Sequence, residues 1–182
     1  MRFGICNELF QDWDWQRALD LTVEAGYTGW EIAPFTLGDY PTLTTAIQRS
    51  QWASQTQAAG VEVIGLHWLL ARTDGFHLTT NDVQVRDQTA DYLADLTRLC
   101  RDLGGSLMVL GSPQQRNFDP AEMTHDQAQD NAQALIERLL PALESMQVTL
   151  ALEPLGPGEG NFWNQARQVV QVVQRIGSPW VR

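Results

Sequence analysis

Cysteine is scarce in this sequence, and its scarcity limits the chemistry that the chain can carry. The 182 residues include only Cys6 and Cys100. Two cysteines so far apart provide neither a disulfide framework nor a thiolate metal site. The sequence therefore favours a reducing, cytoplasmic location. Cys100 falls on a helical pattern, so we expect it to be a small core residue.

Basic residues and long apolar runs are lacking as well. The chain has 12 Lys and Arg against 22 Asp and Glu, which gives a formal net charge of −10. Binding to a phosphate backbone requires clustered cations, and here they are scattered, so we expect neither a nucleic-acid partner nor a membrane surface. No apolar run approaches the roughly 18 residues of a spanning helix. The N-terminus resembles a strand rather than a signal peptide.

Short apolar runs alternate with long amphipathic runs five times, and no hairpin signal separates them. The pattern predicts strands at 3–6, 29–33, 61–66, 107–110 and 148–152. It predicts helices at 15–25, 42–59, 82–103, from Thr124 or Asp126 to about Met146 with a kink at Pro141, and at 163–176.

Strands that are joined by helices form parallel sheets, which leaves two architectures open: a doubly wound sheet and a (β/α) barrel. No G-x-G-x-x-G motif follows the first strand, which weakens the dinucleotide-binding version of the doubly wound sheet. Polar residues instead follow several strands, as is typical of the eight-stranded barrel. We therefore predict a single domain, 1–182, that is a (β/α)₈ TIM barrel truncated after about five βα units. A complete five-stranded open fold is the alternative.

The fifth predicted strand ends abruptly on Glu153, before a proline and a glycine-rich loop. An unpaired carboxylate at such a position is costly unless a cation or strong hydrogen-bond donors satisfy it. Glu159 lies six residues further on and is expected to face the same space. Two carboxylates at one strand end indicate a metal-assisted or acid–base centre. The structural alternative is that Glu153 caps a helix or pairs with an arginine.

Five stretches of the sequence together form a recognisable set: Phe3-Gly4-Ile5-Cys6-Asn7-Glu8, Ala25-Gly26-Tyr27-Thr28-Gly29-Trp30-Glu31-Ile32, Val63-Ile64-Gly65-Leu66-His67, Leu110-Gly111-Ser112-Pro113 and Leu152-Glu153-Pro154-Leu155. These stretches resemble the xylose-isomerase-like TIM-barrel superfamily, and within it the sugar-phosphate isomerase/epimerase branch. The resemblance spans the whole chain but only about the first five of the family's eight units.

The resemblance implies a function and a cofactor. It implies a metal-dependent isomerase or epimerase that acts on a small sugar, sugar phosphate or polyol by enediolate proton transfer. Glu153 matches the family's metal ligand for Mn²⁺ or Mg²⁺, with Co²⁺ or Zn²⁺ as further options. The other ligands come from later strands, so we expect this chain alone to be weak or inactive. Glu159 matches the spacing of a second catalytic glutamate, although the family's usual Asn-Arg is missing between the two.

Six further residues are candidates for binding the substrate, and most have a structural alternative. Glu31 is expected either to anchor the pocket floor or to contact the sugar. His67 is either a pocket contact or a core imidazole, and Trp68 is either a core residue or an apolar wall for a sugar face. Arg116 is the only cation that we place near the mouth, where it meets a phosphate or carboxylate or else forms a surface ion pair. The six candidates are Asn7, Glu31, His67, Trp68, Ser112 and Arg116.

Smaller expectations concern asparagine and histidine. Asn7 and Asn161 are each expected to cap a helix, with substrate contact as the alternative for Asn7 and loop positioning as the alternative for Asn161. His77 is expected to be exposed in a long loop and His125 to start a helix. Two other functions remain open: a non-catalytic sugar-binding barrel, and a metal-dependent phosphodiesterase or endonuclease. The oligomeric state, including a homo-oligomer, is also open.

Overall fold

The structure, a computed structural model, describes residues 1–182 and contains one five-stranded sheet. All neighbouring strands are parallel. Each predicted strand is present within one residue of its expected bounds. The strands are β1 (Gly4–Cys6), β2 (Gly29–Ile32), β3 (Glu62–Leu66), β4 (Leu107–Leu110) and β5 (Thr149–Leu152).

The strands lie side by side in the order of the sequence, β1-β2-β3-β4-β5. Each crossover therefore moves the chain one strand further in the same direction. A doubly wound sheet reverses direction at a switch point, where its helices change face. Consecutive order with right-handed crossovers places every helix on one face, as in a barrel. The strand order thus decides between the two architectures that the sequence left open, and the predicted barrel is confirmed.

Four helices connect the strands and a fifth follows β5, and none of the five is both long and apolar enough to cross a membrane. Helix α4 continues through Pro141 without interruption, so this proline does not end it. The helices are α1 (Trp15–Glu24), α2 (Ala46–Ala58), α3 (Val83–Asp102), α4 (His125–Met146) and α5 (Ala166–Ile176).

Two helices begin later than the sequence pattern predicts. Thr45 caps α2 in a reciprocal capping box with Gln48, and the preceding residues 41–43 form a short 3₁₀ turn. Helix α5 begins at Ala166 rather than at Trp163, because Trp163 has a positive φ of 55°, which no helical residue adopts. Helices α3 and α4 begin where expected, with Asp82 and Thr124 as their caps.

The two faces of the sheet differ in exposure. On one face, the Trp30 indole nitrogen donates to Thr22 Oγ1 of α1, and Met108 contacts Thr97 of α3, so these side chains point into the helical layer. Side chains alternate along a strand. Glu31, the residue after Trp30, therefore projects from the opposite face of the sheet, and its side chain is only half-buried. This second face is the one that a barrel turns toward its axis.

The last three residues of the chain extend the sheet at β5. The Leu150 N–H donates to the Trp180 carbonyl (2.8 Å), and the Arg182 N–H donates to the Leu150 carbonyl (2.9 Å). Val181 is paired with Leu150 in parallel orientation. This pairing places residues 180–182 beside β5.

Gly65 lets β3 and β4 approach closely. A Cβ atom at this position would lie only 1.8 Å from the Leu107 carbonyl oxygen. Because that oxygen is backbone, it cannot move aside as a side chain would. Any larger residue at 65 would therefore separate the two strands, and with them the polar residues that follow each strand.

Candidate active site

Three polar side chains meet where the strands end. Glu31 in β2, His67 after β3 and Glu153 after β5 form a row with the imidazole in the middle. His67 Nδ1 lies 3.6 Å from Glu31 Oε2, and His67 Nε2 lies 3.9 Å from Glu153 Oε2. The Nδ1 atom is buried without a hydrogen-bond partner. The structure thus brings together three of the residues that the sequence singles out.

Gly111 makes this arrangement sterically feasible. It follows β4, which lies between β3 and β5 in the sheet. A Cβ atom at Gly111 would lie 2.3 Å from Glu153 Oε2. With glycine in this position, the Glu153 carboxylate is able to extend across the end of β4 toward His67. The site therefore depends on an absent side chain as well as on those present.

Glu159 lines the same cavity as Glu153 and His67, a space of about 120 Å³. Its Oε2 accepts a hydrogen bond from the Gly156 N–H (3.0 Å), which ties the carboxylate to its own loop. The two carboxylates thus face one space, as the sequence leads us to expect. The cavity is completed by Trp68, Ser112, Pro113 and Leu155.

Trp68 and Ser112 shape the wall between the strand ends. The Trp68 ring lies 5.6 Å from the His67 ring between centroids, and more than a third of the residue is exposed. Ser112 is 3% exposed, and its Oγ accepts a hydrogen bond from the Leu70 N–H (3.2 Å). Both residues have a positive φ, 58° and 43°. Such backbone is strained in residues other than glycine and persists where its surroundings hold it.

Arg116 lies beneath the site and differs from the prediction. Only 1% of the residue is exposed, so the surface ion pair considered from the sequence is wrong. Its Nη1 donates to the Glu153 carbonyl oxygen (2.8 Å), and its Nη2 is buried without a partner. Burial lowers the pKa of the guanidinium to about 10, although nearby Glu153 and Glu159 favour its charged form. The arginine supports the strand end that carries the carboxylate.

Two asparagines connect the loops around the site and cap no helix. Asn7 is buried; its Oδ1 accepts from the Ala33 N–H (2.8 Å) and its Nδ2 donates to Thr36 (2.8 Å). Asn161 bonds both backbone groups of Phe118 through its side-chain amide. The capping predictions are therefore wrong, because the caps of the nearest helices are Asp14 and Gln165. Substrate contact by Asn7 stays a prediction.

The remaining histidines lie outside the cavity of Glu153. His77 is half-buried rather than exposed, and burial lowers the pKa of its imidazole. Its loop is tied down: the Leu78 N–H donates to the Gln115 carbonyl (2.7 Å). His125 begins α4, as predicted, and its Nε2 lies 3.0 Å from the Gln168 side-chain nitrogen.

A second cavity adjoins the first and contains a cation that sequence reasoning missed. It measures about 290 Å³ and shares Trp68, Ser112 and Pro113 with the first cavity. Arg72, an exposed residue of the loop after β3, lines it together with Phe35. The sequence led us to expect that Arg116 is the only cation near the mouth. This expectation is wrong, because Arg72 lies there too. No periodic pattern covers this loop, so only its positive charge could have drawn attention to Arg72.

The side chains of this chain fit only part of a metal site. Glu153 offers a carboxylate oxygen to the cavity, next to the His67 imidazole. No group of three His, Cys, Asp or Glu side chains in residues 1–182 is arranged to hold a metal ion. A divalent ion bound through carboxylates usually needs more ligands than these two residues supply. The side chains of residues 1–182 therefore do not form a complete metal site.

Comparison with known protein families shows to which family the chain belongs. The profile of the family described as xylose isomerase-like TIM barrel matches residues 19–182. The chain belongs to this family. The match includes β2 to β5 and every residue of the row formed by Glu31, His67 and Glu153. The resemblance that the sequence carries is thereby confirmed.

Solved structures with the same fold include several sugar epimerases. D-Psicose 3-epimerase from Clostridium cellulolyticum H10 superposes with a TM-score of 0.84 at 16% identity and covers 100% of this chain. The 3-keto-D-glucoside 4-epimerase of E. coli gives 0.81 at 13% identity with 100% coverage, and an L-ribulose 3-epimerase gives 0.81 at 20% identity with 99% coverage. At these identities the likeness shows the fold alone.

The chain spans less than two thirds of these structures: 62%, 66% and 58% of their respective lengths. The matched part is the half-barrel described above. Among curated proteins, no sequence matches this chain significantly.

Proposed function

We propose that this protein is an isomerase or epimerase that acts on a small sugar, sugar phosphate or polyol. Membership of the family supports this class of barrel enzyme, and the fold is shared with three sugar epimerases. The observation that carries the proposal is geometric. Glu153 Oε2 lies 3.9 Å from His67 Nε2, and Glu159 lines the same cavity. Carboxylates and an imidazole around one cavity are the groups that move protons at a carbon beside a carbonyl.

The proposed chemistry is a proton transfer through an enediolate. A ketose in the cavity places the carbon next to its carbonyl near Glu159, which removes the proton. The electrons of the broken C–H bond form the carbon–carbon double bond, and the carbonyl oxygen takes the negative charge. Delivery of a proton to the opposite face, from water or a second acid, epimerises that carbon, and Glu159 later releases the proton that it removed. Protonation of the former carbonyl carbon, with proton transfer between the oxygens, isomerises the sugar.

The other residues would bind and orient the sugar. We expect His67 to hydrogen-bond a sugar oxygen, because it lines the cavity and its Nε2 lies 3.9 Å from Glu153 Oε2, which exceeds hydrogen-bond length. Trp68 offers an apolar face to the sugar ring. Glu153 would hold a divalent ion, Mn²⁺ or Mg²⁺, and such an ion, when bound, stabilises the charge on the carbonyl oxygen. Arg116 keeps the Glu153 backbone in position through its hydrogen bond to the carbonyl.

Deuterium uptake from solvent tests the proposal. The chain is incubated in D₂O with Mn²⁺ and a panel of ketoses that includes D-fructose, and carbon-bound deuterium is measured by mass spectrometry. Removal of one proton and return of one deuterium is enough for a signal, even when no epimer or isomer forms. The assay therefore detects weaker activity than a measurement of product would. We expect uptake above that of buffer with Mn²⁺ alone, and its loss in Glu153→Gln and Glu159→Gln.

A matched control separates the site from general charge effects. Glu62→Gln removes an exposed carboxylate at the opposite end of the sheet, where Glu62 pairs with Arg2. This variant should retain the uptake of the unaltered chain. Uptake that survives in Glu153→Gln, or that never exceeds the buffer rate, would contradict the proposal. Ketose binding without uptake would favour the non-catalytic sugar-binding alternative.

A further inference from the structure

We infer that the cavity around Arg72 takes an anionic substituent of the sugar, either a phosphate or a carboxylate. This inference rests on the proposed function, because it names the substrate class of the same site. The cavity of about 290 Å³ adjoins the cavity of Glu153 through three shared lining residues. Each cavity alone falls below the roughly 300–1,000 Å³ of ordinary ligand pockets, and the two together reach that range. One end would hold the reacting carbons and the other the substituent.

Arg72 is held in place by neutral groups on two sides. Its Nη2 donates to Gln11 Oε1 (2.9 Å), and its guanidinium carbon lies 4.4 Å from the centroid of the Phe35 ring. These contacts fix the plane of the guanidinium and leave its other N–H groups unused. A guanidinium fixed in this way matches the geometry of a phosphate or carboxylate, which accepts two parallel hydrogen bonds.

No carboxylate of the chain neutralises Arg72. None of the eight close ion pairs in the structure involves Arg72. Glu8 is the one acidic residue that lines the same cavity, and its carboxylate lies beyond ion-pair distance. Six other arginines also make no close ion pair, so Arg72 is distinguished by its place in this cavity beside Phe35.

Backbone strain is concentrated around this cavity. Six residues other than glycine have a positive φ, and three of them, Trp68, Arg72 and Ser112, line it. The strain at Trp68 and Arg72 lies in one loop and directs both residues to the same space. Strained residues persist where the surrounding structure holds them and cluster at binding sites. The loop is thus shaped to present an aromatic face and a cation together.

Binding measurements on the whole chain test the inference. The dissociation constants of D-fructose, D-fructose 6-phosphate and the carboxylate ketose D-fructuronate are measured by NMR titration at constant ionic strength. We expect at least one of the two anionic ketoses to bind about tenfold or more tightly than D-fructose. The preferred one identifies the substituent as a phosphate or a carboxylate. Equal binding of all three would overturn the inference.

Three variants test whether Arg72 causes the tighter binding of the anionic ketose. Arg72→Gln should remove the advantage of the anionic ketose and leave D-fructose binding unchanged. Arg175→Gln changes the net charge equally, at an exposed position in α5, and should keep the advantage. Glu8→Gln should increase it, because a negative charge is removed from the cavity. An advantage that survives in Arg72→Gln would overturn the inference, as would an equal loss in Arg175→Gln.

The outcomes distinguish this inference from the proposed function. Deuterium uptake that depends on Glu153, together with equal binding of neutral and anionic ketoses, would support the isomerase and remove the anion site. An Arg72-dependent preference without any uptake would support the anion site and remove the isomerase. Arg72 is exposed and contacts Gln11 and Phe35 only at the surface, so Arg72→Gln should fold, and its thermal unfolding checks this directly.

Discussion

Two arginines lie in the loops around the candidate site, and their surroundings are opposite. Arg116 is 1% exposed and bonds the Glu153 carbonyl from below, while burial lowers its pKa to about 10. Arg72 is exposed at the rim, where it is held by Gln11 and Phe35. The comparison teaches that residue type alone does not assign a role. Burial and partners make one arginine a structural support and leave the other available to a ligand.

The largest effect should come from removing the buried arginine. Arg116→Ala leaves the Glu153 carbonyl without its donor and opens a cavity under Trp163, whose ring lies 5.7 Å from the guanidinium. We expect a loss of about 3 kcal/mol in the free energy of unfolding. Urea denaturation measures this loss. Arg175→Ala, at an exposed site, serves as the control, and an equally small loss in both variants would refute the structural role.

A smaller effect on stability should come from Gly111→Ala, which changes neither arginine. The new Cβ would lie 2.3 Å from Glu153 Oε2, so the carboxylate must turn away from His67. Because only a flexible side chain has to move, the loss of stability should stay below about 1 kcal/mol. Deuterium uptake should fall about 10- to 100-fold, since a displaced catalytic group is costly. Normal uptake in this variant would show that the position of Glu153 does not matter.

The stability of the folded chain should depend on pH through His77, which lies in the same loop as Arg72. Burial lowers the pKa of His77 below its usual value of 6.5 in the folded chain. As the pH falls through that usual value, the unfolded chain binds the proton before the folded chain does. The folded state therefore loses stability as the pH falls below this value, and it loses none above neutral pH. The urea midpoint of the unaltered chain should therefore drop more between pH 7.5 and pH 5.5 than that of His77→Gln. Parallel midpoints in the two proteins would contradict this.

The smallest effect should come from the exposed arginine. Arg72→Gln removes one surface hydrogen bond and a contact with one ring, so we expect the free energy of unfolding to change by no more than about 0.5 kcal/mol. Urea denaturation under the conditions used for Arg116→Ala measures this change and completes the comparison. A loss as large as that of Arg116→Ala would show that both arginines are structural and would leave no cation free at the rim.

The sequence predicts the strands well because each is a short, mainly apolar run that alternates with a longer amphipathic run. The position of Glu153, directly after such a run, follows from the same pattern. Helix starts are predicted less well where a local conformation intervenes. Trp163 continues the helical pattern of α5, yet its positive φ excludes it from the helix. That conformation depends on the packing of the preceding loop, which no periodicity reveals.

The site itself is predicted only in part, for a physical reason. Glu31, His67 and Glu153 could be assigned together because the carboxyl ends of parallel strands meet at one edge of the sheet. The burial of Arg116 and the exposure of Arg72 could not, since both lie in irregular loops whose paths depend on contacts distant in sequence. The role of Gly111 was equally hidden, because it depends on the side chain of a residue on the neighbouring strand.

The most direct test of this account is a crystal structure of the chain with D-fructose and Mn²⁺. The account predicts the ketose in the cavity between Trp68 and Glu153, with an oxygen of the sugar within hydrogen-bond distance of His67 Nε2 and the Glu159 carboxylate beside the carbon next to the carbonyl. A ketose bound elsewhere, with Glu153 turned away from His67 into solvent, would contradict it.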